Sequence, residues 1–206
     1  MKATDDCMQN VSRETSDRLH AYAALVRKWN PAINLVAPST LDELETRHFA
    51  DSMQLYPLAP ASWHHWVDLG SGGGFPGMIV AIQAADAGES RRVTLIESDR
   101  RKAAFLSTVV RELSLPQTAI LPQRIESAPP QGADVLSARA LAPLSQLIGY
   151  ARRHLRPDGI ALFPKGARYR EELDAALAST AVDVQDFPSK TDPQAVILKL
   201  GGIARV

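Results

Sequence analysis

The chain has 206 residues, 45% of them hydrophobic, which is enough for one well-buried core and a short accessory segment. Its 23 basic and 23 acidic residues cancel, and this balance argues against a protein coated in positive charge for nonspecific nucleic-acid binding. The lone cysteine, Cys7, excludes an internal disulfide framework. Residues 1–10 lack the apolar run of a signal peptide. No stretch approaches the roughly 18–20 apolar residues of a membrane span. We therefore expect a soluble cytoplasmic protein with no membrane contact.

The first 62 residues have the pattern of a helical extension. Apolar side chains recur there at spacings of three and four, at Leu19, Tyr22, Val26 and Trp29. This spacing predicts a helix over about residues 12–29, which Pro31 should end because proline disfavours the helical conformation in the residue before it. A second helix should begin at Thr40, where Glu43 follows at capping-box spacing.

From residue 63 to residue 206, short apolar strands alternate with helices. Strands are predicted over residues 66–69, 93–96, 118–121, 133–137, 160–163, 182–184 and 196–199. Helices are predicted over residues 77–85, 100–112, 144–155 and 168–178, with a turn at 156–159. This alternation is typical of a parallel sheet with helices on both faces. The last two strands lack a long helix between them and should pair antiparallel, so we predict a Rossmann-like α/β domain at 63–206 that forms one compact unit with the extension at 1–62.

The first predicted strand leads into a glycine-rich loop, Asp-Leu-Gly-Ser-Gly-Gly-Gly-Phe-Pro-Gly at residues 68–77. Sheets of this kind bind ligands beyond the carboxyl ends of their strands, at the topological switch point. Glycine permits positive φ and lets a ligand approach the backbone, and the N-terminus of the next helix offers free N–H groups. Two cofactor patterns overlap here. Gly72, Gly74 and Gly77 fit the dinucleotide pattern G-x-G-x-x-G, whereas Gly70, Gly72 and Gly74 fit G-x-G-x-G.

Asp68, two residues before the first glycine, favours S-adenosylmethionine as the cofactor. A carboxylate can hold the cationic methionine moiety of that cofactor directly or through water, and it would repel a pyrophosphate. Glu97 ends the second predicted strand, where an acid can accept both ribose hydroxyls of either cofactor. The dinucleotide interpretation, and a glycine-rich turn that binds nothing, remain as alternatives at this point.

Several motifs occur in order along the chain, namely W-N at 29–30, R-H-F-A-D-S at 47–52, G-F-P-G at 74–77, E-S-D-R-R-K at 97–102, S-A-R-A-L-A-P-L at 137–144 and P-K-G at 164–166. Together they resemble the bacterial small-subunit rRNA (guanine-N7) methyltransferases, once called glucose-inhibited division protein B, from about residue 22 to about residue 200. The resemblance implies a class I S-adenosylmethionine-dependent methyltransferase fold, with a mostly parallel seven-stranded sheet and an N-terminal helical extension. It also implies methyl transfer to N7 of one guanine in 16S rRNA.

The glycine loop and the resemblance together predict the residues that bind S-adenosylmethionine. They are Asp68, Gly70, Gly72, Gly74, Phe75, Glu97, Ile125, Glu126 and Arg139. By the family pattern Gly70 and Phe75 line the cofactor and Glu97 binds the ribose. Ile125 and Glu126 should flank the adenine, although Glu126 could equally be a solvated loop acid.

Three residues are predicted to act on the substrate side, namely Arg139, His48 and Lys165. Arg139 directly follows the fourth strand, where its planar fork could contact the cofactor carboxylate or the RNA backbone, and the alternative is a surface salt bridge. His48 should point inward with its ring tautomer fixed by Asp51, and the alternative is a satisfied core histidine. Lys165 follows the fifth strand and could meet a phosphate, or extend its charged end to solvent.

Guanine N7 carries an in-plane lone pair, so the implied reaction needs no general base, and no metal-ligand set accompanies His64 and His65. The expected partner is 16S rRNA in the small ribosomal subunit or its assembly intermediate, recognised more by shape than by bulk charge. We expect a monomer. Two alternatives stay open, a nonenzymatic ribosome-associated scaffold with a Rossmann-like fold and a small-molecule methyltransferase.

Overall fold

A computed structural model describes residues 11–87 and 91–203 of the chain. Cys7 and the expectation about a signal peptide at residues 1–10 lie outside the described residues. Within these two ranges, no helix is long and apolar enough to cross a membrane.

The extension begins with helix α1, Arg13–Ile33, whose N-cap residue Ser12 accepts a hydrogen bond from the N–H of Thr15 at 3.0 Å. The prediction that Pro31 ends this helix is wrong, because α1 continues through it to Ile33. The reason is the side chain of Asn30, whose Oδ1 accepts hydrogen bonds from the next two backbone N–H groups beyond the helix cap, at 2.8 and 2.9 Å. These bonds satisfy the chain after the last turn and offset the hydrogen bond that proline cannot donate.

The prediction that a capped helix begins at Thr40 is also wrong. Thr40 ends a 3₁₀ turn, Pro38–Thr40, and its hydroxyl bonds the Ala37 carbonyl at 3.0 Å and the His48 ring at 2.9 Å. Helical structure starts only with a π-helical turn, Leu44–Phe49, which passes into the short helix α2, Ala50–Met53. A 3₁₀ turn at Tyr56–Leu58 follows before the sheet begins.

The remainder of the chain alternates strands and helices as predicted. The strands are β1 His65–Leu69, β2 Arg92–Ile96, β3 Thr118–Leu121, β4 Ala133–Ala138, β5 Leu155–Lys165, β6 Asp183–Pro188 and β7 Val196–Gly201. The helices are α3 Gly77–Asp86, α4 Arg100–Glu112, α5 Leu144–His154 and α6 Tyr169–Leu177. The seven strands form one sheet in the order β3-β2-β1-β4-β5-β7-β6, with β1 to β5 parallel and β7 antiparallel to both of its neighbours. The predicted mostly parallel sheet and antiparallel final pair are therefore confirmed.

Strand β5 starts earlier than predicted, at Leu155 instead of Ile160. Its register with β4 jumps from the pair Ala133–Leu155 to the pair Val135–Ile160, so residues 156–159 bulge out of the ladder. Pro157 within this bulge has no N–H to donate to β4. The predicted turn at 156–159 is thus a bulge inside a longer strand.

Two hydrophobic cores lie on opposite faces of the sheet. The first joins the sheet to α1, α3 and α4, and contains the buried side chains of Tyr22, Trp66 and Phe105. The second joins it to α5 and α6, and contains Leu136 and Phe163. Because Tyr22 of the extension lies in the same core as Trp66 of β1, the extension packs on the sheet as part of one hydrophobic unit.

Candidate active site

The glycine loop between β1 and α3 turns with positive φ at three glycines, Gly70 (62°), Gly72 (56°) and Gly74 (100°). A Cβ at Gly74 would lie 2.9 Å from Cβ of Met78, so packing alone requires glycine there. At Gly72 a Cβ would meet only a backbone oxygen at 3.9 Å. Gly72 is therefore the position where space remains for a ligand against the backbone.

Asp68 lies at the base of this loop and is fully buried. Its Oδ1 accepts a hydrogen bond from the Ser137 hydroxyl at 2.6 Å, and that hydroxyl accepts one from Nε1 of Trp66 at 2.9 Å. Its Oδ2 makes no hydrogen bond of ordinary geometry. Burial raises the pKa of Asp68 to about 6, an effect that the bond from Ser137 reduces. Oδ2 lies against Gly77 at the start of α3, where a Cβ would come within 2.7 Å of it.

Glu97, just past the end of β2, points its carboxylate at the glycine loop. Oε2 accepts a hydrogen bond from the N–H of Gly72 at 2.7 Å, and Oε1 accepts one from the N–H of Asp99 at 2.7 Å. Each oxygen retains a second lone pair. The two backbone bonds fix the orientation of the carboxylate.

A small cavity of about 210 Å³ opens beside this loop. It brings together five of the predicted cofactor residues, Gly70, Gly72, Glu97, Ile125 and Glu126. The other four predicted cofactor residues, Asp68, Gly74, Phe75 and Arg139, do not line it.

Tyr150, which no sequence motif singled out, also lines the small cavity. Its hydroxyl donates a hydrogen bond to Oε1 of Glu126 at 2.5 Å and accepts one from Nε2 of Gln146 at 2.6 Å. The first bond lowers the pKa of Glu126 and raises that of Tyr150. Glu126 is thus tied to α5 and is more than a free loop acid. The four-residue spacing of Gln146 and Tyr150 on one face of α5 is the signal that could have pointed to this side chain.

The ring of Phe75 faces the extension and not the small cavity. It stacks on the ring of His48 with 5.3 Å between ring centroids, and lies within 6 Å of Tyr22 and Phe49 as well, at 5.6 and 5.8 Å. The guanidinium of Arg139 also lies over the Phe75 ring, 5.3 Å from the ring centroid. Phe75 therefore joins the glycine loop to the extension, and its role at the cofactor stays a prediction.

A larger cavity of about 1140 Å³ lies at the carboxyl ends of the parallel strands. Its walls come from the extension, the β4–α5 loop, the end of β5, the helix α6 and the β6–β7 loop. All three residues predicted on the substrate side, Arg139, His48 and Lys165, line it. Leu141 lines both cavities, so the two are neighbours across one side chain.

Arg139 reaches from the end of β4 to the extension. Its Nη1 donates to Oδ2 of Asp51 at 3.2 Å, and its Nη2 donates to Nδ1 of His48 at 3.1 Å. The guanidinium therefore lies between His48 and Asp51, the two side chains predicted to contact each other. The prediction that Asp51 fixes the His48 tautomer is wrong, because Arg139 occupies the position next to Nδ1.

His48 is held in one tautomer by a directed chain of hydrogen bonds. A guanidinium can only donate, so Nδ1 of His48 must accept, and Nε2 carries the hydrogen and donates to Oγ1 of Thr40 at 2.9 Å. Thr40 passes its own hydrogen to the Ala37 carbonyl at 3.0 Å. Burial, and the positive charges of Arg139 and Arg47, lower the pKa of His48 to about 4. The ring is consequently neutral at pH 7.

Lys165, at the end of β5, is engaged in the wall of the large cavity. Its Nζ donates to the Ala142 carbonyl at 3.1 Å and to Oε2 of Glu172 at 2.8 Å. The same carboxylate oxygen accepts the N–H of Leu144 at the start of α5, at 3.1 Å. Lys165 neither extends into solvent nor stands free as a phosphate ligand. Elsewhere in the described part of the chain, no three His, Cys, Asp or Glu side chains converge as metal ligands.

Solved structures with the same architecture are S-adenosylmethionine-dependent methyltransferases. One from Aquifex aeolicus matches with a TM-score of 0.60 and 14% identity over 88% of this chain and 98% of that chain. The fibrillarin of Aeropyrum pernix, solved with natively bound S-adenosyl-L-methionine, matches with a TM-score of 0.58 and 18% identity over 75% of each chain. The strand order and the glycine loop therefore define a class I S-adenosylmethionine-dependent methyltransferase fold.

Sequence comparison defines the family within this class. The family model for rRNA small subunit methyltransferase G matches residues 15–197. Proteins of that name are 53% identical over 96% of this chain in Cereibacter sphaeroides and 54% identical over 98% in Rhodospirillum centenum, where the match covers 95% and 92% of the relatives. A third, from Ruegeria pomeroyi, is 48% identical over the full length of both chains. The chain belongs to the rRNA small subunit methyltransferase G family.

Proposed function

We propose that the protein transfers a methyl group from S-adenosylmethionine to N7 of one guanine in the 16S rRNA of the small ribosomal subunit. The observation that carries the proposal is the adjacency of the two cavities across Leu141. One cavity has the residue types that a nucleoside cofactor needs, and the other is large enough for a nucleobase. The names of the family and of its relatives support ribosomal RNA as the substrate.

Different residues contact different parts of the bound S-adenosylmethionine. Glu97 accepts the ribose hydroxyls through its free lone pairs, and Ile125 and Glu126 flank the adenine. Asp68 stabilises the positive charge of the methionine end from below the loop, because its Oδ2 is buried and lacks a hydrogen-bond partner. S-adenosylmethionine, when bound, supplies an electrophilic methyl group to a nucleophile on its far side.

The chain's own residues position the substrate and stabilise charge. No residue has to remove a proton, since guanine N7 presents a lone pair already. Arg139 is fixed by Asp51 and His48, and thus offers donors in a preorganised orientation, without reorganisation at the moment of reaction. The lining of the large cavity holds five acids against four Lys and Arg residues, with His48 neutral. This charge balance suits a product guanine that carries a positive charge.

The test is methyl transfer from tritiated S-adenosylmethionine to small subunits that lack the modification, followed by mapping of the methylated nucleotide. We expect incorporation at N7 of a single guanine, by a monomer acting in the cytoplasm on the small subunit or its assembly intermediate. Tight cofactor binding with no incorporation would favour the scaffold alternative. Transfer to a small molecule in the absence of RNA would favour the alternative of a small-molecule methyltransferase.

A further inference from the structure

The β6–β7 loop, residues 189–195, forms one wall of the large cavity although it lies far from the glycine loop in sequence. Thr191, Asp192 and Pro193 line the cavity from this side. The loop has a defined internal structure, because the Ser189 N–H donates to the Ala195 carbonyl at 2.9 Å and the Ala195 N–H to the Asp192 carbonyl at 3.0 Å. A loop ordered in this way can act as a shaped surface.

The extension holds this loop through two side chains. Gln54 is buried, and its Oε1 accepts a hydrogen bond from the backbone N–H of Lys190 at 2.7 Å. Asp51 accepts a longer bond from the Thr191 hydroxyl on Oδ1, at 3.3 Å, while its Oδ2 accepts from Arg139. One carboxylate thus joins the loop to Arg139 on the opposite wall.

The two walls differ in charge. The extension, the β4–α5 loop, the end of β5 and the start of α6 carry both signs of charge. The four cations of the lining lie there, Arg47, Arg139, Lys165 and Arg168, together with four of its five acids, Glu43, Asp51, Glu171 and Glu172. The lining residues of the β6–β7 loop include no cation, and the exposed Asp192 has no Lys, Arg or His partner within ion-pair distance among the residues that the structure describes. A phosphate would be repelled from this wall, whereas the edge of a nucleobase with hydrogen-bond donors would be accepted by it.

We propose that the β6–β7 loop is the wall of the large cavity that selects the target base, and that Gln54 and Asp51 are positioning residues that hold this wall in place. Guanine presents its N1–H and its 2-amino group as adjacent donors, which the Asp192 carboxylate accepts. Adenine presents an acceptor at N1 and is disfavoured. This inference rests on the proposed function, because it concerns the same cavity and an RNA substrate.

The test compares Gln54→Ala and Asp192→Asn with wild-type protein in methyl transfer to unmodified small subunits. Gln54→Ala releases the loop. In the wild-type protein, Oδ1 of Asp192 accepts the N–H of Gln194 at 2.9 Å. Asp192→Asn keeps an oxygen for this bond and replaces the other carboxylate oxygen, Oδ2, with an amide group that donates. We expect both variants to raise KM for the subunit at least about tenfold with kcat within about threefold. Gln185→Ala, an exposed position on β6 outside both cavities, serves as the matched control and should behave as wild type.

Cofactor affinity measured by calorimetry distinguishes a displaced loop from a misfolded protein, since the small cavity should bind S-adenosylmethionine equally in all variants. Asp192 is exposed, so its variant keeps the test valid even if Gln54→Ala fails to fold. A wild-type KM in Asp192→Asn would overturn the proposal. Absence of methyl transfer by the wild-type protein is a different result, which would overturn the proposed function and this inference together.

Discussion

The His48 ring has two different neighbours on its two nitrogens, and each can be removed separately. An asparagine at this position places its carbonyl near Nδ1 and can still accept from Arg139, whereas a glutamine reaches toward Nε2 and Thr40. We expect His48→Gln to lower kcat/KM for methyl transfer at least about tenfold, equivalent to roughly 1.4 kcal/mol. His48→Asn should retain activity within about threefold. Equal activity losses in the two variants, with unchanged melting temperature, would show that the bond to Arg139 is not what matters.

Asp68 should make cofactor binding depend on pH. Its pKa is raised to about 6, so below that pH the carboxyl is neutral and cannot stabilise a cationic ligand. We expect the affinity for S-adenosylmethionine to rise about tenfold from pH 5 to pH 7, as the fraction of ionised Asp68 increases.

Asp68→Asn removes the ionisation and leaves the side chain nearly the same size. In calorimetry this variant should bind the cofactor more weakly at pH 7, and its affinity should not change between pH 5 and pH 7. A pH dependence that persists in Asp68→Asn would assign it to another group.

At the scale of elements, a glycine of the glycine loop can be compared with a glycine inside helix α5. Gly72 has a φ of 56° and faces the small cavity, so Gly72→Val strains the backbone and occupies cofactor space. We expect this variant to lose detectable cofactor binding in calorimetry. Gly149 lies within α5, where a Cβ would meet nothing within 4 Å. Gly149→Ala should keep cofactor affinity and gain about 0.5–1 kcal/mol of stability, because alanine loses less backbone entropy on folding.

The helices show which sequence patterns are sufficient to predict where a helix begins and ends. Helix α4 has the predicted bounds, because Asp99 caps it by accepting the N–H of Arg101 at 2.8 Å and its buried face has clear helical spacing. The errors at Pro31 and Thr40 have a common cause. In both places a side chain forms a hydrogen bond outside a regular helix. Asn30 accepts one from the backbone beyond the end of α1, and Thr40 bonds the ring of His48. Local sequence patterns contain no information about such bonds.

At the scale of the whole molecule, the site was predictable where topology determines it. Parallel strands end at the same edge of the sheet, so the glycine loop and Glu97 could be placed together from sequence alone. Arg139 and Asp51 are separated by 88 positions, and Gln54 and Lys190 by 136. Their contacts depend on how the extension packs on the sheet, which no periodicity within either segment encodes.

The two most perturbed histidines should make the folded chain sensitive to mild acid. Burial, with the neighbouring arginines, lowers the pKa of both His48 and His65 to about 4, against 6.5 in an unfolded chain. Between these values the unfolded chain binds protons that the folded chain does not, so stability falls as the pH falls from about 6.5 to about 4. Asp68 acts in the opposite direction below about pH 6, since its raised pKa keeps a proton on the folded chain.

Two histidines outweigh this one carboxyl in number, and we therefore expect the melting temperature to be lower at pH 5 than at pH 7.5, by about 2–4 °C for each kcal/mol lost. Calorimetric melts across this range measure the difference, and the double variant His48→Asn, His65→Asn provides the control, because it removes both rings. The melting temperature of the variant should fall less between pH 7.5 and pH 5 than that of the wild type. The buried His154, whose pKa burial also lowers, still acts in the variant, and Asp68 opposes it. If the wild-type melting temperature falls no more than that of the double variant, the rings of His48 and His65 are protonated in the folded chain, and then His48 could not accept the hydrogen bond from Arg139.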